Sequence, residues 1–197
     1  MPAYLKHNYS KYQSNQMMIN FIKTLQRKEQ LNLLKSCPNA NIGSLKIGDY
    51  VKFTIYPNTG RIEIGNNVSF RDSIHVIVQN DAKLKIEDNV FMNNFCSINC
   101  LVSIFIGQNT LFGENVKLYD HNHDYNRSKD GLKVHHSKFT KAPIHIGKNC
   151  WLSSNVTVLK GVTIGDNCII GAGCTIYKDV PANTTVLSNQ SLNYISN

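Results

Sequence analysis

Beginning at Ile146, every sixth residue is a large aliphatic: Ile146, Leu152, Val158, Ile164, Ile170 and Ile176, before Ala182 closes the series. Ile, Leu and Val fill about a quarter of the chain, so six in register arise by chance about once in 4,000 starting frames, and the period is structural. Four places after each stands a smaller apolar residue: Cys150, Val156, Val162, Cys168, Cys174, Val180 and Val186. A period of six matches neither a helix of 3.6 residues per turn nor a two-faced strand. It fits short strands joined by turns and stacked so that equivalent residues lie above one another, a β-solenoid.

The same phrase opens further coils upstream, as LKIGDYV at Leu45 to Val51, IEIGNNV at Ile62 to Val68, LKIEDNV at Leu84 to Val90, IFIGQNT at Ile104 to Thr110 and IHIGKNC at Ile144 to Cys150. Its key isoleucines, Ile47, Ile64, Ile86, Ile106, Ile146 and Ile164, are separated by 17, 22, 20, 40 and 18 residues. Three hexads make a coil of 18, so the predicted unit is triangular in section with the key aliphatics inside. Gly or Glu directly after the key Ile, with Asp or Asn two places on, supplies the tight corner by tolerating positive φ. Each end of such an array needs a cap.

The 197 residues suit one domain, and only 17% are charged, which disfavours long exposed helices. No run approaches the roughly 18 apolar residues of a membrane span. The start MPAYLKHNYS lacks the order of a signal peptide, so the expected compartment is the cytoplasm. A net charge of +8 implies an anionic partner. The lysines are scattered singly and not clustered with aromatics, which excludes a nucleic-acid surface. Cys150, Cys168 and Cys174 occupy the small inward column, so they read as compact hydrophobes; Cys96 and Cys100 lack a second pair at zinc-binding distance. Met17, Met18, Phe21, Ile22 and Leu25 recur at helical spacing within residues 10–35, predicting a helix that covers the first coil, ends at Pro38 and does not insert stably in a membrane. The chain thus divides into a helical cap over 1–38, a solenoid over 39–186 and a tail over 187–197.

The interval of 40 marks where about 22 residues leave the prism as an external loop. Its sequence, DHNHDYNRSKDGLKVHHSKFTKAP from Asp120 to Pro143, holds four of the seven histidines. Loops projecting from rigid scaffolds commonly carry function.

On these motifs the chain, over about residues 40–186, resembles the hexapeptide-repeat acyltransferases, and within them the sugar O-acetyltransferases related to the galactoside and maltose enzymes. The resemblance implies an all-β fold, the left-handed parallel β-helix, with an N-terminal helical cap and a protruding loop. It also implies a homotrimer with each active site between two subunits, acetyl-CoA as donor, and no metal. In that family the catalytic histidine stands five places after a key aliphatic, shortly before a W-[IL]-x-S element. Leu118, His123 and Trp151, Leu152, Ser153 and Ser154 reproduce the pattern. The register picks His123 as general base, with His121 the competing candidate or its orienting partner and Asp120 fixing a ring tautomer. An Asn at the position of Asn93 contacts the acceptor in the family, and Phe91 and Asp120 are assigned to acceptor binding with it. The coenzyme would meet Trp151 and Ser154, the Gly171–Ala172 coil, and the lysines Lys160 and Lys178.

The chemistry suits these residue types. A sugar hydroxyl is a poor nucleophile at neutral pH, and an imidazole, with an ordinary pKa of about 6.5, can accept its proton as the hydroxyl attacks a thioester. Ser154 or backbone N–H groups would hold the oxyanion. The chain departs from the family phrase after Val186, where LSNQSLNYISN follows, so the resemblance assigns no adenine or 3'-phosphate contacts there. Its N-terminal segment differs from the galactoside and maltose caps, which points away from a free mono- or disaccharide and toward a surface-polysaccharide sugar, such as a lipid-linked intermediate, as acceptor. Rival readings are an N-acetyltransferase of an amino sugar, a xenobiotic acetyltransferase, and a non-catalytic scaffold. A zinc hydratase of the same coil type would need separated histidine ligands, whereas His121 and His123 are too close and His135 and His136 adjacent.

Overall fold

The computed structural model describes residues 3–189. After a helix over Ala3–Ser36, short strands wind into three parallel sheets, the faces of a prism. The first face stacks Ala40–Ile42, Arg61–Ile64, Lys83–Ile86, Ser103–Ile106, Ile144–Ile146 and Thr163–Ile164. The second face runs from Leu45–Ile47 through Val68–Phe70, Phe91–Met92, Leu111–Phe112, Trp151–Leu152 and Ile169–Ile170 to Thr185–Val186. Lys52–Ile55, His75–Val78, Ser97–Cys100, Lys117–Tyr119, Thr157–Leu159 and Thr175–Ile176 make the third. This is a parallel β-helix of about six turns, consistent with the left-handed form the resemblance implies.

The interior columns are where the period of six puts them. Ile64, Ile86, Ile106, Ile146 and Ile164 stack strand on strand and are at most 3% exposed. Cys150, Val156, Val162, Cys168 and Cys174 are buried beside them. Each such aliphatic contributes on the order of 1.5–3 kcal/mol by leaving water. All six cysteines are free thiols, and burial pushes that of Cys96 up to about 11, so it packs as a neutral hydrophobe.

Three expectations need correction. First, Ile47 does not belong to the isoleucine column: it lies on the second face, paired with Phe70, and Ile42 is the partner of Ile64. Every face shares the same alternation and corner chemistry, so the phrase alone does not say which face it occupies. The first two coils are therefore 22 residues each, because extra residues at 56–60 and 79–82 round the third corner. Second, the glycine after the key Ile is not there for positive φ. A Cβ on Gly147 would stand 2.6 Å from the backbone nitrogen of Asp166 in the next coil, so close approach demands glycine. Positive φ falls instead on the asparagine two places later: Asn67, Asn89, Asn109, Asn149, Asn167 and Asn183 lie between 55° and 61°. Their side-chain amides hydrogen-bond in series along the corner at 2.9–3.0 Å.

Third, the helix covers the first coil with a different part of itself than the apolar spacing suggests. Met17, Phe21 and Leu25 are 70%, 63% and 50% exposed, and Met18 and Ile22 also face outward. At 34 residues the helix is about 51 Å long, more than a coil can cover. Only its last turns dock: Leu34 is buried, Leu31 packs on the core, Gln30 accepts the Phe53 N–H at 2.8 Å, and Lys23 and Arg27 both pair with Asp49 at 2.8 Å. No helix among the described residues is long and apolar enough to cross a membrane.

Candidate active site

The segment expelled between the third and first faces is not an irregular loop but an antiparallel hairpin, His121–Ser128 against Gly131–Lys141. Its root is pinned by Asp120, which is 0% exposed. The Asp120 carboxylate accepts the backbone N–H groups of Leu101 at 2.8 Å, Val102 at 2.7 Å and Ser103 at 2.9 Å, one coil below. The Ala142 N–H closes the root by donating to the Asp120 carbonyl at 3.0 Å. Asp120, assigned above to acceptor binding, thus has no surface to offer an acceptor; it clamps the hairpin to the prism. A three-donor clamp of this kind has no signature in the chain order, since donors and acceptor lie 17 to 19 residues apart.

His123 stands on the outgoing strand. The pairing register slips beyond it: His123 faces Phe139, but Tyr125 faces Val134, so two steps on one strand answer five on the other. The surplus residues form a bulge that turns the His135 carbonyl toward His123, whose Nδ1 lies 3.0 Å away. A carbonyl only accepts, so Nδ1 carries the proton and the Nε2 lone pair is left open. The ring rests on Phe139, centroids 4.7 Å apart. Phe139 and the His135 carbonyl were not singled out by sequence reasoning, because a register slip in a hairpin is set by tertiary fit.

His121 stands closer to the prism, edge-on to Phe139 at 5.3 Å and to Tyr119 at 6.2 Å. Its Nδ1 is buried without a hydrogen bond and faces Asp120 Oδ1 at 3.6 Å, too far to fix a tautomer through that contact. Burial pushes its pKa down, against the opposing pull of the Asp120 carboxylate. His135 is half-buried and His136 exposed.

The other assigned residues divide between two edges. Asn93, Ser154, Gly171 and Ala172 follow second-face strands and lie on the edge between the second and third faces. Phe91 and Trp151 point outward from the second face, joined through Leu111; Trp151 is 49% exposed. Lys160 and Lys178 follow third-face strands and share the hairpin's edge: the Gly161 N–H beside Lys160 donates to Ala142 at the hairpin root, 3.2 Å. The third face separates the two groups, so one chain does not bring His123 to Asn93, Trp151 or Ser154. A hollow of about 550 Å³ under the helix, lined by Leu31, Lys35, Ile42 and Val68, lies three coils from the histidines.

The bacterial transferase hexapeptide (six repeats) family matches residues 143–178. WbbJ of Escherichia coli (strain K12), whose name reads lipopolysaccharide biosynthesis O-acetyl transferase, is 28% identical over 142 residues, 69% of this chain and 72% of that protein. Nodulation protein L of Rhizobium meliloti (strain 1021) is 33% identical over 135 residues, 68% of this chain and 69% of that protein. Among solved structures, a variant of the N-acyltransferase AntD from Bacillus cereus, in complex with dTDP-4-amino-4,6-dideoxyglucose and coenzyme A, is similar in fold, with a TM-score of 0.61 at 16% identity, covering 85% of this chain and 90% of that one. Fold and repeat together define a hexapeptide-repeat transferase. The chain belongs to the acetyltransferases of that family.

Proposed function

We propose that this protein is an acetyl-CoA-dependent O-acetyltransferase that modifies a sugar hydroxyl in surface-polysaccharide biosynthesis, with His123 as general base in a ternary complex. The observation that carries the reading is the His123 ring itself: Nδ1–H is held by the His135 carbonyl, and Nε2 is left open on an exposed hairpin. His121 suits the role less well, since its ring is half-buried with Nδ1 turned toward a carboxylate. The similarity to WbbJ supports the substrate class, and the coenzyme A in the AntD complex supports the donor.

The residues at the second edge fit a thin, amide-bearing arm. Gly171, Ala172 and Gly173 present backbone with no side chain beyond a methyl, and Trp151 adds an exposed indole. The Gly171 and Gly173 N–H groups already donate to the Val186 and Ser154 carbonyls, which leaves the Ala172 amide to meet the arm. An acyl thioester bound there supplies an electrophilic carbonyl and a thiol leaving group. His123 Nε2 takes the acceptor's hydroxyl proton as that oxygen bonds to the carbonyl carbon; the C–S bond then breaks, and Nε2–H returns the proton to the sulfur. The Ser154 hydroxyl and its own N–H hold the oxyanion, since the flanking Ser153 and Asn155 N–H groups already donate to the Ile170 and Glu114 carbonyls. Asn93, with Phe91 beside it, contacts the acceptor.

For these groups to meet, the hairpin edge of one chain must face the second edge of another, so the working unit is a homotrimer with shared sites. Lys160 and Lys178 then line the groove where coenzyme phosphates run. The reading places the enzyme in the cytoplasm. Coenzyme A release with a panel of sugars, amino sugars included, tests it: His123→Ala is expected to lose about 10²–10⁴-fold in kcat while still binding acetyl-CoA. Equal turnover in the two proteins removes His123 as the base, and preferential acylation of an amine makes the enzyme an N-acetyltransferase.

A further inference from the structure

Of the sixteen Lys and Arg outside the hairpin, five are matched by carboxylates among the described residues: Lys23 and Arg27 by Asp49, Arg61 by Glu63, Lys85 by Glu87 and Lys148 by Asp166. The hairpin is different. Over residues 121–141 it carries Arg127, Lys129, Lys133, Lys138 and Lys141 against Asp124 and Asp130, five cations to two anions. Among the described residues none of these five is in an ion pair. The Asp124 carboxylate accepts the N–H of Tyr125 at 2.9 Å.

The outer half of the hairpin also has a face. Tyr125 pairs with Val134 and Arg127 with Leu132, and opposed residues of an antiparallel pair share a side. Tyr125, Leu132 and Val134 are all about half exposed, and the Arg127 guanidinium lies 5.8 Å from the centre of the Tyr125 ring. A ring with an unpaired guanidinium beside it is suited to a sugar that carries negative charge: the apolar face of the pyranose stacks on the tyrosine, and a carboxylate takes the fork of the arginine. The register slip lies on the returning strand, so His121–Ser128 stays extended and its alternation sets His123, Tyr125 and Arg127 on one side. From His123 to Tyr125 is about 7 Å, the span of roughly one sugar unit.

We infer that Tyr125 and Arg127 form the acceptor-recognition platform, and that the acceptor is an acidic saccharide whose charged residue sits on the hairpin one unit from the hydroxyl presented to His123. This rests on the reading of His123 as the base. The platform gives the net positive charge a purpose separate from the coenzyme.

The test uses two probes that differ only in charge, a hexuronic-acid-containing disaccharide and its carboxyl-reduced counterpart. Both are measured for acetyl transfer and, independently, for binding by calorimetry. Wild type is expected to favour the acidic probe at least tenfold in kcat/KM, with a preference that shrinks as salt is raised. Arg127→Gln should abolish that preference by raising KM for the acidic probe about tenfold, leaving its kcat, the neutral probe and acetyl-CoA unchanged; Arg127→Lys should recover only part, because it cannot form the fork. Equal affinity of wild type for both probes overturns the inference, as does an equal loss on both in Arg127→Gln. So does dissociation of the oligomer in Tyr125→Ala, which would make this face a subunit contact. If the neutral probe is acetylated while the acidic one does not bind, the platform falls and the proposed function stands. If neither is acetylated but the acidic probe binds in an Arg127-dependent way, the platform stands and that function falls; if neither is bound or acetylated, both fall.

Discussion

The two edges that hold the candidate residues are built in opposite ways. Between the second and third faces the chain turns within each coil, and the turns stack so closely that a Cβ on Gly113 would stand 2.6 Å from the Ser154 nitrogen. Between the third and first faces one coil releases the hairpin His121–Lys141, which leaves the packed column and carries histidines and cations into solvent. Repetition makes the first edge a rigid, small-residue rail suited to holding an extended ligand. Departure from repetition makes the second an arm suited to presenting a reactive group. Neither edge is a complete site.

If this division is right, substitutions at the two edges should differ in kind. The largest effect is expected from comparing His123→Ala with Ala172→Trp. The first should lower kcat by about 10²–10⁴-fold with little change in KM for acetyl-CoA, and the second should raise that KM at least tenfold. Steady-state kinetics with acetyl-CoA varied would separate them, and identical signatures would erase the distinction.

The rail itself can be broken without touching either group. Gly147→Ala sets a methyl against the backbone of Asp166, and the overpacking should cost about 1–3 kcal/mol, lowering Tm by roughly 3–10 °C in thermal denaturation. The arm can be loosened at its root. Asp120→Asn replaces an acceptor of three backbone N–H groups with an amide that satisfies fewer of them, at a cost of about 1–3 kcal/mol. Hydrogen exchange should then quicken at Leu101 to Ser103 and along the hairpin while the other coils keep their protection; uniform loss of protection would mean that Asp120 supports the whole prism.

The smallest effect is one of pH. Burial lowers the pKa of His75 and of His121 below the ordinary 6.5. The unfolded chain therefore binds more protons than the folded one once pH drops below 6.5, so stability declines from there toward the folded-state values. His75→Gln and His121→Gln should each flatten this decline in urea titrations between pH 7 and 5; unchanged slopes would place both rings in water.

Much of the prism was legible because a column recurring every six residues leaves few alternatives for Ile64 through Ile164. The face occupied by Ile47 was not, since the same phrase serves on every face and only strand pairing separates them. Nor was the exposure of Met17 to Leu25, because helical spacing marks an apolar stripe without saying whether the coil is wide enough to cover it. At the site, His123 was singled out as the candidate base by the family resemblance, which sets that histidine five places after an aliphatic such as Leu118. The clamp at Asp120, the supporting ring of Phe139 and the carbonyl of His135 depend on contacts across a register slip, which no local pattern encodes.

Shared catalysis between chains can be examined by co-expressing His123→Ala with Ala172→Trp, each impaired by itself. If the hairpin of one chain completes the rail of its neighbour, random mixing restores about a quarter of the wild-type sites, and activity should return to about that level. A mixture no more active than the two separate variants would mean that each chain builds its site alone, and the account of two half-sites would be wrong.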